Sequence, residues 1–281
     1  MQPYTEADIM YWAHSGQTLH MDFGTVYAGS PNGIPYNIVG NATPRRVVTY
    51  DPAYNYANES DPMPPEGLPI PADVKIEGAG VVGADHHMIL HDVDRRELHE
   101  LSIADPTDSD FMIKQISHWD LTSNALRPDE WTSADAAGLP VYPLLVTYDE
   151  AASGEIKHAL RFTLEHIWAY QWPARHMGYS GSDAGPFYGM RVRLRSDVDI
   201  TTYPGTDSPT SPINRAILQC MQTYGMFLAD AGENWFVSGA PDPRWDDGDL
   251  HLLGYFNPGD CFEIVDTSSW MVDIDSAEAR P

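Results

Sequence analysis

The stretches "HHMILHDV" (86–93) and "RELHELSI" (96–103) decide the fold class of this chain. Each is a short run rich in apolar residues, of the length expected for a β-strand. Three more runs of the same kind follow, namely "FMIKQISHWDL" (111–121), "EIKHALRFT" (155–163) and "GMRVRLRSDVDI" (189–200). Many short strands, few helices and no regular β–α alternation predict a mostly-β chain. We expect an antiparallel β-sandwich or jelly-roll-like fold with a few short helices and long loops.

The length and the composition bear on domain organisation. A chain of 281 residues has room for one or two domains, and all-β units of this size are common as single domains. Residues 1–80 are dense in Gly, Pro, Asn and Tyr, which indicates long loops between short strands such as "RRVVTY" (45–50). We therefore predict a single β-rich domain over 1–281, with the loop-rich residues 1–80 packed on it.

Three segments are predicted to be helical. The clearest is 211–232, which starts with Ser-Pro and carries apolar residues three to four positions apart. Residues 140–153 have room for a short helix. In "WTSADAAGLP" (131–140), Ser133 is a suitable N-cap, and Gly138 with Pro140 would end the helix after one turn. Such a helix is too short to be stable alone, so we expect it to hold Trp131 and Asp135 at a site.

Charge excludes several classes of partner. The formal net charge is −25, which argues against binding to nucleic acid or to an anionic membrane surface. The chain has 3 lysines against 13 arginines, and 28 Asp against 13 Glu. An acidic, lysine-poor surface is typical of proteins that stay soluble in concentrated salt. The composition therefore has two explanations, a saline habitat or acidity without such a role. No segment resembles a transmembrane span.

Metals, cofactors and disulfides leave weak signals. Cys220 and Cys261 suit one disulfide in an exported protein or two buried thiols equally well. His87 and His91 would lie about 13 Å apart on one strand face, too far to bind one metal ion together. The acidic runs "DPTDSD" (105–110) and "WDDGD" (245–249) suit structural calcium, although neither fits a helix–loop–helix calcium site. We expect no catalytic metal and no cofactor.

Four longer phrases carry a resemblance to a known family. They are "HWDLTSNALRPDEWTSADAAGLP" (118–140), "YDEAASGEIKHALRFT" (148–163), "WPARH" (172–176) and "VSGAPDPRWDD" (237–247). Through them most of the chain resembles an uncharacterised family of predicted secreted bacterial proteins. The resemblance implies an extracellular location, with any signal peptide lying outside this sequence, and it implies no activity.

A carboxylate pair is the main catalytic hypothesis. Asp135, together with Asp120 or Glu100, would supply the protonated acid and the ionised carboxylate that glycoside hydrolysis needs. The structural alternative is that Asp120 caps a turn and Asp135 stabilises the start of its short helix.

Further residues complete the predicted site. His158 and His176 are the predicted proton-transfer or orienting groups, and the alternative for His158, on an apolar strand face, is a buried structural histidine. Substrate contacts are predicted for an aromatic and cationic set, with "WPARH" as the first choice of site-lining loop: Trp131, Trp172, Trp235, Arg161 and Arg175.

Together these features predict a secreted, carbohydrate-active protein that cleaves a polysaccharide, with a glycoside hydrolase as the first choice. "MRVRLR" (190–195) places three arginines on one strand face, either neutralised by neighbouring acids or available to an acidic glycan. The second option would favour a polysaccharide lyase. A non-catalytic carbohydrate-binding or adhesion module is the other alternative, and an inert structural domain is the third.

Overall fold

The structure is a computed structural model that describes residues 17–54, 56–79, 81, 84–103, 111–178 and 185–280. The predicted mostly-β class is confirmed, because 30% of the described residues are in strands and 15% in helices, all of them short. No described helix is both long and apolar enough to cross a membrane.

The strands in chain order are β1 (His20–Asp22), β2 (Val26–Tyr27), β3 (Ser30–Pro31), β4 (Tyr36–Val39), β5 (Arg45–Arg46), β6 (Thr49–Tyr50), β7 (Leu68–Pro69), β8 (His87–Asp92), β9 (Glu97–Ile103), β10 (Met112–Asp120), β11 (Leu160–Leu164), β12 (Ala169–Tyr170), β13 (Phe187–Tyr188), β14 (Arg191–Leu194), β15 (Met226–Ala231), β16 (Phe236–Ser238) and β17 (Phe262–Val265). The α-helices are α1 (Tyr148–Ser153), α2 (Pro212–Thr223), α3 (Asp247–His251) and α4 (Pro258–Cys261). Short 3-10 helices lie at Ala57–Glu59, Tyr142–Leu144 and Leu252–Tyr255.

Two large sheets organise these strands. One has six strands in the order β1-β16-β11-β15-β14-β17, and the other has five in the order β4-β8-β9-β10-β6. The quoted stretch 86–103 forms the β8–β9 hairpin, and β10 adds to it antiparallel. Both sheets are mixed, because β4–β8, β6–β10, β1–β16 and β11–β15 pair in parallel.

The sheets and α2 bury three clusters of apolar side chains. The largest lies between α2 and the six-stranded sheet and includes Ile217, Phe162 and Val237. Two smaller clusters lie on the five-stranded sheet, one with Leu90 and Leu101 and the other with Ile89 and Leu98. Residues 89 and 90 are adjacent and therefore face opposite sides of the sheet, so apolar clusters lie on both of its faces.

The helix predicted over 211–232 is half right. Ser211 caps its start by accepting a hydrogen bond from the Asn214 amide at 3.0 Å. The helix ends at Thr223, and strand β15 follows. Gly225, at φ +70°, makes the connection in the left-handed region. A Cβ there would lie 2.3 Å from the Val192 carbonyl oxygen, so a glycine is required on two grounds.

Cys220 and Cys261 are separate buried thiols rather than a disulfide. The Cys220 thiol lies 3.0 Å from the His158 carbonyl oxygen, to which it donates. Both residues therefore match the buried-thiol alternative.

Candidate functional site

Residues 131–140 form a turn, not the predicted one-turn helix. The Ser133 hydroxyl accepts from the Asp135 amide at 2.9 Å and lies 2.8 Å from the Asp135 carbonyl oxygen and 2.7 Å from the Leu139 carbonyl oxygen. The hydrogen bonds of the Ser133 side chain thus take the place of the backbone hydrogen bonds of a helix. Because Ser side chains compete for backbone groups in this way, Ser is favoured in turns. Gly138 occupies the left-handed region at φ +68°. We call residues 131–140 the connecting turn.

The connecting turn is bonded to both large sheets. On the five-stranded side, the carbonyl oxygen of Ala134 lies 2.7 Å from Nε2 of His87 on β8. On the six-stranded side, the Ala137 amide donates to the carbonyl oxygen of Ala229 on β15 at 3.0 Å. The turn therefore fixes Asp135 between the sheets.

Asp135 binds Arg161 of β11 in a bidentate ion pair. The guanidinium donates from Nη2 to Oδ1 at 2.7 Å and from Nε to Oδ2 at 3.1 Å. Nη1 donates to the Ser238 hydroxyl at 2.6 Å. The exposed fractions of the Asp135 and Arg161 side chains are 0% and 3%, so water screens this pair very little.

Asp230 of β15 is the second carboxylate at this place. Its Oδ2 lies 3.5 Å from Nη2 of Arg161, the nitrogen that also binds Asp135. Burial and the neighbouring Asp135 charge raise the pKa of the Asp230 carboxyl well above its usual value. Burial also raises the pKa of Asp135, an effect that Arg161 opposes. The two acids interact directly, and the raised pKa favours the protonated form of Asp230.

Asp230 was not among the predicted site residues, because residues 226–231 were predicted to be helical. The available signal was Gly225 directly after the last helical turn, followed by the strand-like "MFLADA". Strand β15 pairs with β11, and this pairing places Asp230 opposite Thr163, two residues beyond Arg161.

A pocket of about 250 Å³ opens onto the acid pair. Asp135 and Asp230 line it, and the Asp230 side chain is 23% exposed. The remaining wall is rich in hydrogen-bonding side chains: Tyr56, Asp85, Ser102, Lys114, Gln115 and His176. The Asp230 carboxyl is therefore accessible from the pocket, while the Asp135 carboxyl is enclosed.

His87 places a fixed positive charge in the same wall. Its Nδ1 lies 2.5 Å from Oε2 of Glu77. Burial alone would lower the pKa of the imidazole, but the Glu77 carboxylate raises it to about 10. Both ring nitrogens have partners, since Nε2 bonds to Ala134, so this imidazolium serves electrostatics rather than proton transfer.

The structure brings neither Glu100 nor Asp120 to the acid pair. Glu100 is fully buried and accepts from the amides of Val141 and Tyr142 at 2.8–3.0 Å. Burial raises the pKa of Glu100 to about 7. Asp120 is exposed and accepts from the Thr122 amide and hydroxyl at 2.8 and 2.6 Å, as the turn-capping alternative predicted.

The two predicted histidines lie in different places. His176 lines the pocket, and its Nδ1 lies 2.9 Å from the Ala136 carbonyl oxygen. His158 lies beside Glu150, whose nearest oxygen is 3.4 Å from Nε2, and it is absent from the pocket wall. Although burial alone would lower its pKa, the hydrogen bond to Glu150 raises it.

Most of the predicted substrate contacts are structural. Arg175 is buried and donates to the Arg127 and Ile274 carbonyl oxygens at 2.8 Å, and to Asp275 at 2.6 Å. The Trp172 indole donates to the Ser276 carbonyl oxygen at 2.8 Å. These two residues attach the segment 274–276 to the domain.

The other two predicted tryptophans also pack against protein. Trp131 is half-buried, with its ring 5.6 Å from the Arg127 guanidinium. Trp235 is 2% exposed and stacks on Phe162 at 5.0 Å. Among the five predicted contacts, Arg161 alone binds the acid pair.

In the arginine stripe, Arg193 and Arg195 match the neutralisation alternative, whereas Arg191 donates to the Tyr224 carbonyl oxygen at 2.8 Å. Arg193 donates to Glu263 at 2.5 Å and Arg195 to Asp197 at 3.1 Å. Arg191 packs against the rings of Phe227 and Trp270, each at 5.2 Å. These contacts account for all three guanidinium groups.

Of the two acidic runs that suited structural calcium, residues 105–110 lie outside the described residues. In residues 245–249, two aspartates accept hydrogen bonds from backbone amides. Asp246 caps α3 by accepting from the Asp249 amide at 3.1 Å, and Asp247 accepts from the Thr25 amide at 2.9 Å.

Two larger grooves, of about 430 and 450 Å³, share a wall at Pro35, Lys75 and Asp242. Asp242 is bound by Arg244, which lowers its pKa, so Asp242 is ionised more readily than Asp230 and is less available as a proton donor.

Comparisons of the chain with protein-family models, with curated proteins and with solved structures gave no match. The function is therefore inferred from the acid pair and its pocket.

Proposed function

We propose that this chain is a hydrolase that cleaves a glycan, with Asp230 as the general acid. The observation that carries the proposal is the position of the Asp230 carboxyl, which lines the pocket at 23% exposure beside Asp135. Partial burial and the Asp135 charge raise the pKa of this carboxyl. A general acid works best when its pKa lies near the working pH, and a raised carboxyl pKa meets that need.

Asp135 acts as a positioning residue in this proposal. Its charge keeps the proton on Asp230, and Arg161 fixes the orientation of its carboxylate. Asp85 is the exposed carboxylate in the same pocket wall, and we assign it to activation of water or to attack on the sugar carbon. Asp230 protonates the glycosidic oxygen of the leaving sugar, while Asp85 acts from the pocket mouth.

A glycan is the substrate class that suits the wall. Tyr56, Lys114 and Gln115 offer donors and acceptors that match sugar hydroxyls. The cavity lies below the size range of pockets for drug-sized ligands, so it fits one terminal sugar ring better than a long stretch of polymer. Because the arginine stripe is occupied by its own partners, the observations favour a hydrolase over a uronate lyase.

The test is incubation of the purified protein with neutral and uronate-containing polysaccharides and oligosaccharides, in low and in molar salt. New reducing ends without unsaturated products are expected from the wild type. Asp230→Asn should lower turnover by about 10²- to 10⁴-fold. Asp120→Asn is the matched control, because Asp120 is exposed and an Asn preserves its turn.

Asp135→Asn separates a positioning role from a structural one. Removing the Asp135 charge lowers the pKa of Asp230, so the pH above which activity falls should move to lower pH.

Full activity of Asp230→Asn, or equal losses in Asp230→Asn and Asp120→Asn, would refute the assignment of Asp230 as the general acid. Retention of a glycan without any cleavage would replace the hydrolase with a binding module.

A further inference from the structure

A second cluster of titratable side chains lies on the face of the five-stranded sheet opposite Glu100. Glu97 and His99 are two residues apart on β9 and therefore share a face, whereas Glu100 points the other way. His118 of β10 is the cross-strand partner of His99. We call Glu97, His99 and His118 the strand-end cluster, because Glu97 is the first residue of β9.

Three imidazole nitrogens of this cluster are buried without hydrogen-bond partners. His99 is 2% exposed, and neither of its ring nitrogens has a partner. Nε2 of His118 is also buried without a partner. Unpaired buried polar atoms are uncommon in native proteins and cost free energy, so a missing ligand is the natural explanation.

The ligand atoms of the cluster lie close together, and the His99 and His118 rings are stacked with centroids 4.9 Å apart. Nε2 of His99 lies 3.5 Å from one Glu97 carboxylate oxygen, and Nε2 of His118 lies 4.0 Å from the other. One ligand atom from each residue lies within 4.8 Å of the other two. Around a tetrahedral ion with bonds of about 2.0–2.2 Å, neighbouring ligand atoms are about 3.4 Å apart. Small side-chain rotations therefore close the site.

We propose that Glu97, His99 and His118 bind a divalent transition-metal ion, for which Zn²⁺ is the best match. Two imidazoles and one carboxylate are a donor set that zinc accepts, and borderline nitrogen ligands disfavour Ca²⁺ and Mg²⁺. His118 and Glu97 are 37% and 29% exposed, so solvent reaches the cluster and supplies the fourth ligand.

A buried carboxylate lies beside the cluster. Asp92 of β8 is the cross-strand partner of Glu97 and is fully buried. Its Oδ2 has no hydrogen-bond partner and lies 3.6 Å from the Arg45 guanidinium. The negative charge of Asp92 favours a cation in the cluster.

The cluster of Glu77, Asp85 and His87 is a useful contrast. Its ligand atoms also lie within 4.8 Å of one another. However, both ring nitrogens of His87 already have partners, in Glu77 and Ala134. A metal ion would have to displace these bonds, so the strand-end cluster is the better site.

The experiment is equilibrium dialysis of the chelator-treated protein against Zn²⁺, with the bound metal measured by elemental analysis. Co²⁺ serves as the spectroscopic probe, because its visible absorption reports tetrahedral coordination by nitrogen and oxygen. We expect one ion per chain in the wild type. His118→Ala and Glu97→Gln should each weaken binding on the order of tenfold or more.

Both test positions are partly exposed, so folding should survive substitution, and near-ultraviolet circular dichroism will verify it. The backbone amide of His118 donates to Asp61 at 2.8 Å, and this bond persists in His118→Ala. His166→Ala is the matched control, because His166 lies 3.9 Å from Glu165 in a surface pair. Absence of Zn²⁺ binding by the wild type, or equal binding by the wild type and both cluster variants, overturns the proposal.

Discussion

Replacement of Arg161 by Met tests whether the acid pair depends on its buried cation. Met keeps much of the aliphatic volume of Arg161 but removes its bonds to Asp135, Asp230 and Ser238. Breaking a buried ion pair typically costs about 3–5 kcal/mol. The loss in the free energy of unfolding has an upper limit, because Asp135 can take up a proton and so avoid being an unpaired buried charge. With an unfolded-state pKa near 3.9, that uptake costs about 4 kcal/mol at pH 7 and about 1.5 kcal/mol at pH 5.

The sign of the pH effect follows from linkage. Without Arg161 the folded-state pKa of Asp135 rises further above its unfolded value, so the folded variant holds a proton that the unfolded chain releases. The variant therefore loses stability relative to the wild type as pH rises from about 4 to 7. We expect Arg161→Met to cost about 3–4 kcal/mol at pH 7 and about 1–2 kcal/mol at pH 5.

The assay is urea unfolding followed by tryptophan fluorescence at both pH values. Arg193→Met is the control, since Arg193 is 48% exposed in its pair with Glu263, and such pairs contribute at most about 1 kcal/mol. The double variant Arg161→Met with Asp135→Asn should recover most of the loss at pH 7. A cost below about 1 kcal/mol at pH 7, or one that is equal at pH 5 and 7, refutes the reasoning.

Three further outcomes are expected. Asp230→Asn should stabilise the fold by about 0.5–2 kcal/mol at pH 7 in urea unfolding, because the amide donates to Asp135 without needing a proton; destabilisation would mean that Asp230 is ionised. Burial raises the pKa of Glu100 to about 7, so ionisation of this one group should cost about 3 kcal/mol of stability between pH 4 and pH 8. Glu100→Gln should remove that contribution from the wild-type pH profile, and an unchanged profile would refute it. Gly225→Ala should cost more than about 2 kcal/mol by thermal unfolding. Gly154→Ala, at φ +88° with no atom within 4 Å of the added Cβ, should cost about 1 kcal/mol, and equal costs would contradict the steric argument.

Sequence periodicity was sufficient for strands β8, β9, β10, β11 and β14 and for the start of α2, but not for β15. Contiguous apolar runs predicted β8, β9 and β10, and Ser211 fixed the start of α2 by a local side-chain bond. Strand pairing depends on contacts between distant residues, so the parallel pairs and the mixed sheets lay beyond local patterns. The connecting turn was mistaken for a helix because its stability comes from Ser133 and from both sheets.

The candidate site was only partly predictable for the same reason. Asp135 and His176 were selected from local features, and both line the pocket. Along a strand, Arg161 and Phe162 face opposite sides. Strand β11 is an inner strand and both side chains are buried, so Arg161 needs the charge of Asp135. Asp230 reaches the pair only through β15, whose partner strand lies more than 60 residues away in sequence.

The attachment of the connecting turn to both sheets has a kinetic consequence. Its bonds to His87, Ala229 and Arg161 join segments that are far apart along the chain. Closing such long loops early is entropically costly, so the turn should gain its native contacts after the rate-limiting barrier to folding. Weakening these contacts would then speed unfolding and leave the folding rate nearly unchanged. The lifetime of the native state, more than its rate of formation, is therefore determined at the acid pair.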